Sequence, residues 1–163
     1  MLPACARPRR SEVLAHIASN LTATPASLGD PQRDTKEELE ERHERILTAS
    51  LAAAAAMLTT LTQAAAAAAA QDQPGTSSGS GADAAPAGAT AAAALQDVQE
   101  KVLEIMAVPG FYKQKLGSKS PVVARAAYGF VQAVCSSAPQ LMKPCLATAA
   151  PAVLAALQVG SAA

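Results

Sequence analysis

The sequence predicts an all-α fold, and two observations carry that prediction: its composition and the spacing of its apolar residues. Hydrophobic residues make up 50% of the 163 residues, yet aromatic residues make up only 2%, and alanine is the most frequent type. Alanine is the best helix former and is depleted in strands, so the composition argues against a β-sandwich or barrel. Large apolar residues recur every three or four positions, which is the spacing of one helix face.

The first predicted helix covers residues 12–21 and carries its apolar side chains on one face. It ends in a turn rich in proline and glycine. Thr35 and Glu38 then form the pattern of a capping box that opens a second helix. In that pattern the Thr35 hydroxyl accepts from the Glu38 amide, and the Glu38 carboxylate reaches back to the Thr35 amide.

The second helix is long and has distinct buried and wet sides. Its predicted buried row contains Leu39, Ile46, Leu47, Leu51, Ala54, Leu58 and Leu61. On the wet side, we expect Arg42 to pair with Glu38 and Arg45 with Glu41, because residues four apart are neighbours on a helix surface. The alanine tract that follows can continue this helix to residue 70.

Residues 71–90 read as a linker. They are rich in Gly, Ser, Pro and Ala and contain almost no large apolar side chain. Such a segment buries too little apolar area to offset the entropy of ordering. We therefore expect a disordered insertion within one helical protein.

Order is expected to resume with a third helix, which ends at Pro109 and Gly110. Ser120 and Pro121 are a strong start signal for the next helix, with Ser as N-cap and Pro at the first helical position. Pro139 and Pro151 are each expected to begin one further short helix.

Short helices joined by Pro-containing turns are typical of a HEAT or armadillo array, so we predict a partial solenoid of this type. The predicted division has five parts: a disordered N-terminus (1–10), a helical block (11–70), the linker (71–90), a second helical block (91–159) and a disordered tail (160–163).

The cysteines give a prediction about compartment. The chain has an odd number of cysteines and no CxxC motif, so neither a disulfide framework nor a zinc site is indicated. The three cysteines are Cys5, Cys135 and Cys145. Cys135 lies in an apolar run and is expected to be a buried, reduced thiol. A reducing compartment, the cytosol, fits best. Organelle import is the alternative, because the start MLPACARPRRS has three arginines and no acid.

The sequence offers little for chemistry or for a membrane. No Walker loop, GxGxxG or GxSxG occurs. His16 and His43 lie on predicted helices beside charged neighbours, and His43 is expected to be solvated. We therefore predict no catalytic residue, cofactor or metal in this chain. Residues 51–70 are the most membrane-like segment, but Ala, Thr and Gln dilute it, so no membrane contact is expected.

The charge distribution suggests one binding surface. The net charge is zero, but no acid follows Glu104, whereas four lysines and one arginine do. Three of those lysines are expected in one loop before Ser120, where a phosphate backbone could be met. The candidate contact residues are Lys113, Lys115, Lys119 and Arg125.

Three stretches, taken in order, resemble the amino-terminal HEAT region of listerin, a RING-type E3 ubiquitin ligase. Residues 37–58, EELEERHERILTASLAAAAAML, resemble an acidic helix start followed by a small-residue run. Residues 111–142, FYKQKLGSKSPVVARAAYGFVQAVCSSAPQLM, resemble the family's aromatic pair, basic loop, Ser-Pro start and Pro-Gln-Leu end. Residues 150–157, APAVLAAL, continue the resemblance.

The resemblance implies a role in ribosome-associated quality control. Listerin ubiquitinates nascent chains on stalled large ribosomal subunits, and its amino-terminal region helps it to dock on the ribosome and on quality-control cofactors. The family's zinc and its E2 partner belong to the carboxy-terminal RING, whose Cys/His ligand set this chain does not contain. Whether this chain counts as an enzyme therefore stays open. The alternative is a non-catalytic helical-repeat adaptor unrelated to ubiquitin.

Overall fold

The computed structural model describes residues 10–30, 32–71, 87–108 and 110–160. Of these residues 88% are helical and none lies in a strand, which confirms the all-α prediction. Five α-helices run through the described ranges: α1 (Arg10–Thr22), α2 (Lys36–Gln71), α3 (Ala87–Ala107), α4 (Pro121–Ser137) and α5 (Leu146–Gly160). Three short turns of tighter or wider helix join them: Pro25–Leu28, Tyr112–Leu116 and Pro139–Cys145.

Both predicted helix caps are confirmed. At the start of α2, the Glu38 amide donates to the Thr35 hydroxyl at 3.3 Å, and the Thr35 amide donates to the Glu38 carboxylate at 2.8 Å. The Thr35 amide and hydroxyl both donate to the Glu38 carboxylate, and these bonds lower the pKa of Glu38 because they favour its charged form. At the start of α4, the Ser120 hydroxyl accepts from the Val123 amide at 3.5 Å.

Arg42 organises the turn between α1 and α2. Its guanidinium donates to the Leu28 carbonyl at 2.9 Å and to the Asp34 carboxylate at 3.0 Å. The predicted pairing of Arg42 with Glu38 is therefore wrong, because Glu38 is engaged in the cap and Asp34 lies closer to the turn. The other predicted pair, Glu41 with Arg45, is present at 4.0 Å.

Helix α2 is the centre of the structure. It packs against α1, α3 and α4, and α1 also packs against α3. Of its predicted row, Leu39, Leu47, Leu51, Ala54 and Leu58 are buried, whereas Ile46 and Leu61 are half-buried. The two predicted helical blocks contribute to one core, whose largest fully buried side chains are Phe111, Phe130, Leu14, Leu51, Leu58 and Ile105. In stacked helical pairs, each helix contacts the helix two positions further along the chain, as α1 contacts α3 and α2 contacts α4 here. The solenoid itself stays a prediction.

Several predicted boundaries differ from the structure. Helix α1 begins at Arg10, α2 ends at Gln71 and α5 ends at Gly160, each one residue inside a segment predicted to be disordered. Helix α3 begins at Ala87, so residues 87–90 of the predicted linker are helical. These residues are AGAT, followed by four alanines, and alanine extends a helix readily. Residues 72–86 lie outside the described residues, as do residues 1–9 and 161–163 of the two predicted disordered ends.

The predicted helix start at Pro151 is wrong. Helix α5 begins five residues earlier, at Leu146, directly after the turn Pro139–Cys145, and continues through Pro151. Proline removes one backbone hydrogen bond from a helix. Pro151 is exposed, and so is Ala147, whose carbonyl would have accepted that bond. Water can therefore replace the missing partner, and the helix does not have to end.

One described helix, over Lys36–Ala70, is long and apolar enough to cross a membrane, with a mean hydropathy of 1.4. This test uses length and composition alone. The same helix places Leu47, Leu51 and Leu58 in the protein core. Much of its apolar character comes from alanine, which adds hydropathy with little surface area.

Candidate functional site

Three exposed cations of the carboxy-terminal half lie around the start of α4, and a fourth, Lys143, lies after that helix. Lys113 is exposed on the turn Tyr112–Leu116, Lys119 is exposed just before the Ser120 cap, and Arg125 is exposed on the second turn of α4. Among the described residues, none of the ion pairs involves these three side chains. They form a basic segment with no neutralising acid in the sequence after Glu104.

The fourth predicted contact residue occupies a different environment. Lys115 is only 8% exposed, so the expectation that it lies free in a surface loop is wrong. The segment is helical rather than a loop, and Phe111, Tyr112, Lys115 and Leu116 fall on its inner side. Burial lowers the pKa of Lys115, because desolvation penalises its charged form.

The start of α4 offers few amides to an anion. Pro121 has no N–H, the Val123 amide donates to the Ser120 hydroxyl, and the Ala124 amide donates to the Ser120 carbonyl at 3.0 Å. A phosphate at this helix end would therefore depend mainly on the exposed side-chain cations.

The expectation that His43 is solvated is wrong. His43 is half-buried, and its Nε2 lies 3.0 Å from the Ala23 carbonyl oxygen. Burial, with the nearby charge of Lys115, lowers the pKa of His43, although the bond to Ala23 opposes the shift. The spacing of the apolar residues could have indicated this burial, because His43 lies four residues from both Leu39 and Leu47, which are buried.

No catalytic centre is assembled in the part of the chain that the structure describes. His16 is exposed on α1. No group of three or more His, Cys, Asp or Glu side chains within the described ranges could hold a metal ion. The expectation that Cys135 is buried is wrong, because its side chain is exposed; Cys145 is buried. Position 135 follows the buried Val134 by one residue and so faces outward from α4.

Tyr112 is a buried polar residue with an unusual environment. Its hydroxyl is buried and has no hydrogen-bond partner among the described residues. The Cys145 thiol lies beside it at the edge of a cavity between α3 and the start of α5. Burial is the main cause that raises the pKa of Tyr112.

These observations define a class: a helical domain with an exposed basic segment and, in its described ranges, no assembled catalytic group. A family model for the N-terminal domain of E3 ubiquitin-protein ligase listerin matches residues 7–162. The chain therefore belongs to the listerin N-terminal domain family. Comparisons with curated proteins and with solved structures gave no match.

Proposed function

We propose that this chain is the amino-terminal docking portion of a listerin-like E3 ubiquitin ligase that acts on stalled large ribosomal subunits. The family match over residues 7–162 is the observation that carries the proposal. The chain has three Cys and two His, fewer than the eight ligands that two tetrahedral zinc sites need, so ubiquitin transfer falls to another part of such a ligase. Membership of the listerin N-terminal domain family argues against the alternative, a helical-repeat adaptor unrelated to ubiquitin.

The proposed ribosome contact consists of Lys113, Lys119 and Arg125, the exposed members of the predicted set. Phosphate contacts by Lys and Arg release counterions, so affinity falls as salt rises. Unpaired, exposed cations suit such a contact, because no internal ion pair must break when RNA binds. Lys115 is left out of this surface, since its side chain is buried.

The experiment measures co-sedimentation of the full 163-residue chain with purified large ribosomal subunits over a range of salt concentrations. Replacing Lys113, Lys119 and Arg125 with Ser is expected to weaken binding. The slope of log affinity against log salt should fall by roughly 0.7–0.9 for each lost phosphate contact. Circular dichroism should show unchanged helix content.

A matched control removes three exposed cations elsewhere: Arg33, Lys36 and Arg45, each replaced with Ser. It changes the net charge by the same amount, so a general charge effect would weaken both variants equally. An unchanged affinity and slope in the first variant would contradict the proposed RNA contact.

Cytosolic location is part of the same proposal. A fluorescent fusion of the chain should be diffuse in the cytosol, and removal of residues 1–11 should not alter that distribution. A shift from an organelle to the cytosol on removal of those residues would instead support import.

A further inference from the structure

A pocket of about 440 Å³ lies where the end of α1 meets α2 and the turn Tyr112–Leu116. The pocket is lined by His43 of α2, by Thr24 and Pro25 just after α1, and by Gln114 and Lys115 of the turn. Among the residues that the structure describes, no Asp or Glu lines this cavity, which we call the Lys115 pocket. Its polar groups are therefore an ammonium, an imidazole and neutral side chains.

Lys115 is an unpaired cation on the pocket wall. Its side chain is more than nine-tenths buried, and within the described ranges it makes no hydrogen bond or ion pair. Its Nζ atom is not among the fully buried polar atoms that lack a partner, so the ammonium reaches the open space of the pocket. Because a partly dehydrated ammonium gains more from an anion than one in bulk water, the Lys115 pocket offers a charge with which an incoming anion would pair.

His43 adds an imidazole to the wall of the pocket. Its Nε2 is held at the Ala23 carbonyl, so the ring is fixed at the pocket wall. The charge of Lys115 acts on the His43 ring, and both groups line the same space. The acid that acts on this ring is Glu44, an exposed α2 neighbour that does not line the pocket. An anion in the pocket would meet one full positive charge and a second group that can become protonated.

We propose that the Lys115 pocket binds a carboxylate side chain from an acidic segment of a partner protein. Apolar walls formed by Leu21, Val108 and Phe111 suit the methylene stem of a glutamate, whose carboxylate can then reach the ammonium. A nucleic acid backbone is usually bound by rows of exposed cations, whereas this pocket offers one recessed cation. The site is separate from the exposed residues of the proposed RNA contact, so it goes beyond the proposed function.

The test uses the full chain with its lysines labelled with ¹³C at Cε. Lys115→Met, which keeps the apolar stem and removes the charge, assigns the Lys115 signal by its absence. The probes are the peptides acetyl-Ala-Glu-Ala-amide and acetyl-Ala-Gln-Ala-amide, with oligouridylate of six nucleotides as the phosphate probe. Chemical shifts are followed during titration.

We expect the glutamate peptide to shift the Lys115 signal saturably, with a Kd in roughly the millimolar range. The glutamine peptide should cause no saturable shift. In Lys115→Met, binding of the glutamate peptide, followed by the His43 ring signals, should weaken at least tenfold. The matched control Lys113→Met removes an exposed lysine two residues away and should leave binding within twofold.

Three results would overturn the proposal: equal shifts with both peptides, equal losses in both variants, or a Lys115 response to oligouridylate alone. The last would assign the pocket to phosphate. The comparison between the two peptides can also be followed by the His43 ring signals, which His43→Gln assigns, so it remains decisive if Lys115→Met fails to fold. Ribosome binding by the Ser variant of Lys113, Lys119 and Arg125 is measured separately, so either proposal can fail alone.

Discussion

The Nε2 atom of His43 lies 3.0 Å from the carbonyl oxygen of Ala23, so a side chain of α2 closes the end of α1. A carbonyl oxygen only accepts hydrogen bonds, and therefore Nε2 carries the proton and donates it. The last carbonyls of a helix have no partner within the helix. This bond supplies one and fixes the first two helices against each other.

The first prediction concerns acid sensitivity. Burial lowers the pKa of His43 in the folded state, so the unfolded state binds the proton more readily. The resulting stability is fully present above the unfolded pKa of about 6.5 and is lost as pH falls from there through the folded pKa. Thermal unfolding at pH 7.5, 6.5 and 5.5 should show a falling midpoint.

His43→Gln keeps a donor for the Ala23 carbonyl but does not titrate, so its midpoint should fall less over this range. His16→Gln is the control, because His16 is exposed on α1. Identical pH profiles for the protein and His43→Gln would show that another group causes the decline.

The second prediction concerns the capping box of α2. Thr35→Ala removes the acceptor for the Glu38 amide and is expected to cost about 1 kcal/mol in the free energy of unfolding. Thr35→Ser keeps the hydroxyl and should cost much less. Urea denaturation followed by circular dichroism measures both. Equal stability of the Ala and Ser variants would mean that the cap contributes nothing.

The third prediction concerns the core. Phe130 is fully buried on α4 and meets Phe111 edge to face, with ring centroids 5.9 Å apart. Phe130→Ala should cost about 3–5 kcal/mol, because it leaves a cavity and removes the aromatic contact. Val122 is 56% exposed on the same helix, so Val122→Ala is the control and should change stability by less than about 0.5 kcal/mol. Comparable losses of stability in Phe130→Ala and Val122→Ala would contradict the burial of Phe130 in the core.

Local features were predictable from the sequence because their causes are local. Thr35 with Glu38, and Ser120 with Pro121, are short-range patterns, and both helix starts were confirmed. Burial was harder, because it depends on how a helix is rotated against its neighbours. Val134 and Cys135 are adjacent on α4, yet Val134 is buried and Cys135 is exposed.

Lys115 shows the same limit at the candidate site. Residue type favoured exposure, since lysine is rarely fully buried. The chain places it on the inner side of a turn anchored by Phe111 and Leu116, and this tertiary contact overrides residue type. The sequence therefore predicted the basic segment but not which of its lysines faces inward.

The fourth prediction concerns Tyr112. Its buried hydroxyl has no partner at full hydrogen-bond geometry among the described residues, and the Cys145 thiol beside it is a weak acceptor that offsets little of the desolvation penalty. Tyr112→Phe should keep or raise the free energy of unfolding, by up to about 1 kcal/mol, in contrast to the loss expected when a bonded hydroxyl is removed. Urea denaturation measures the free energy of unfolding of Tyr112→Phe and of the unchanged protein. A loss above about 1 kcal/mol would mean that the hydroxyl is bonded, with the Cys145 thiol as the nearby candidate.

The last prediction links the Lys115 ammonium to stability. Burial of the Lys115 side chain lowers the pKa of its ammonium, and within the described ranges no counterion is paired with it. Lys115→Met retains a long apolar side chain and removes that charge, so the melting temperature should rise by a few degrees; 1 kcal/mol corresponds to roughly 2–4 °C in a domain of this size. Lys113→Met, at an exposed position on the same turn, should leave it within about 1 °C. Calorimetry measures both variants. A lower melting temperature for Lys115→Met would show that the ammonium is already satisfied inside the folded chain, and the pocket would then have no unmet charge to offer a carboxylate.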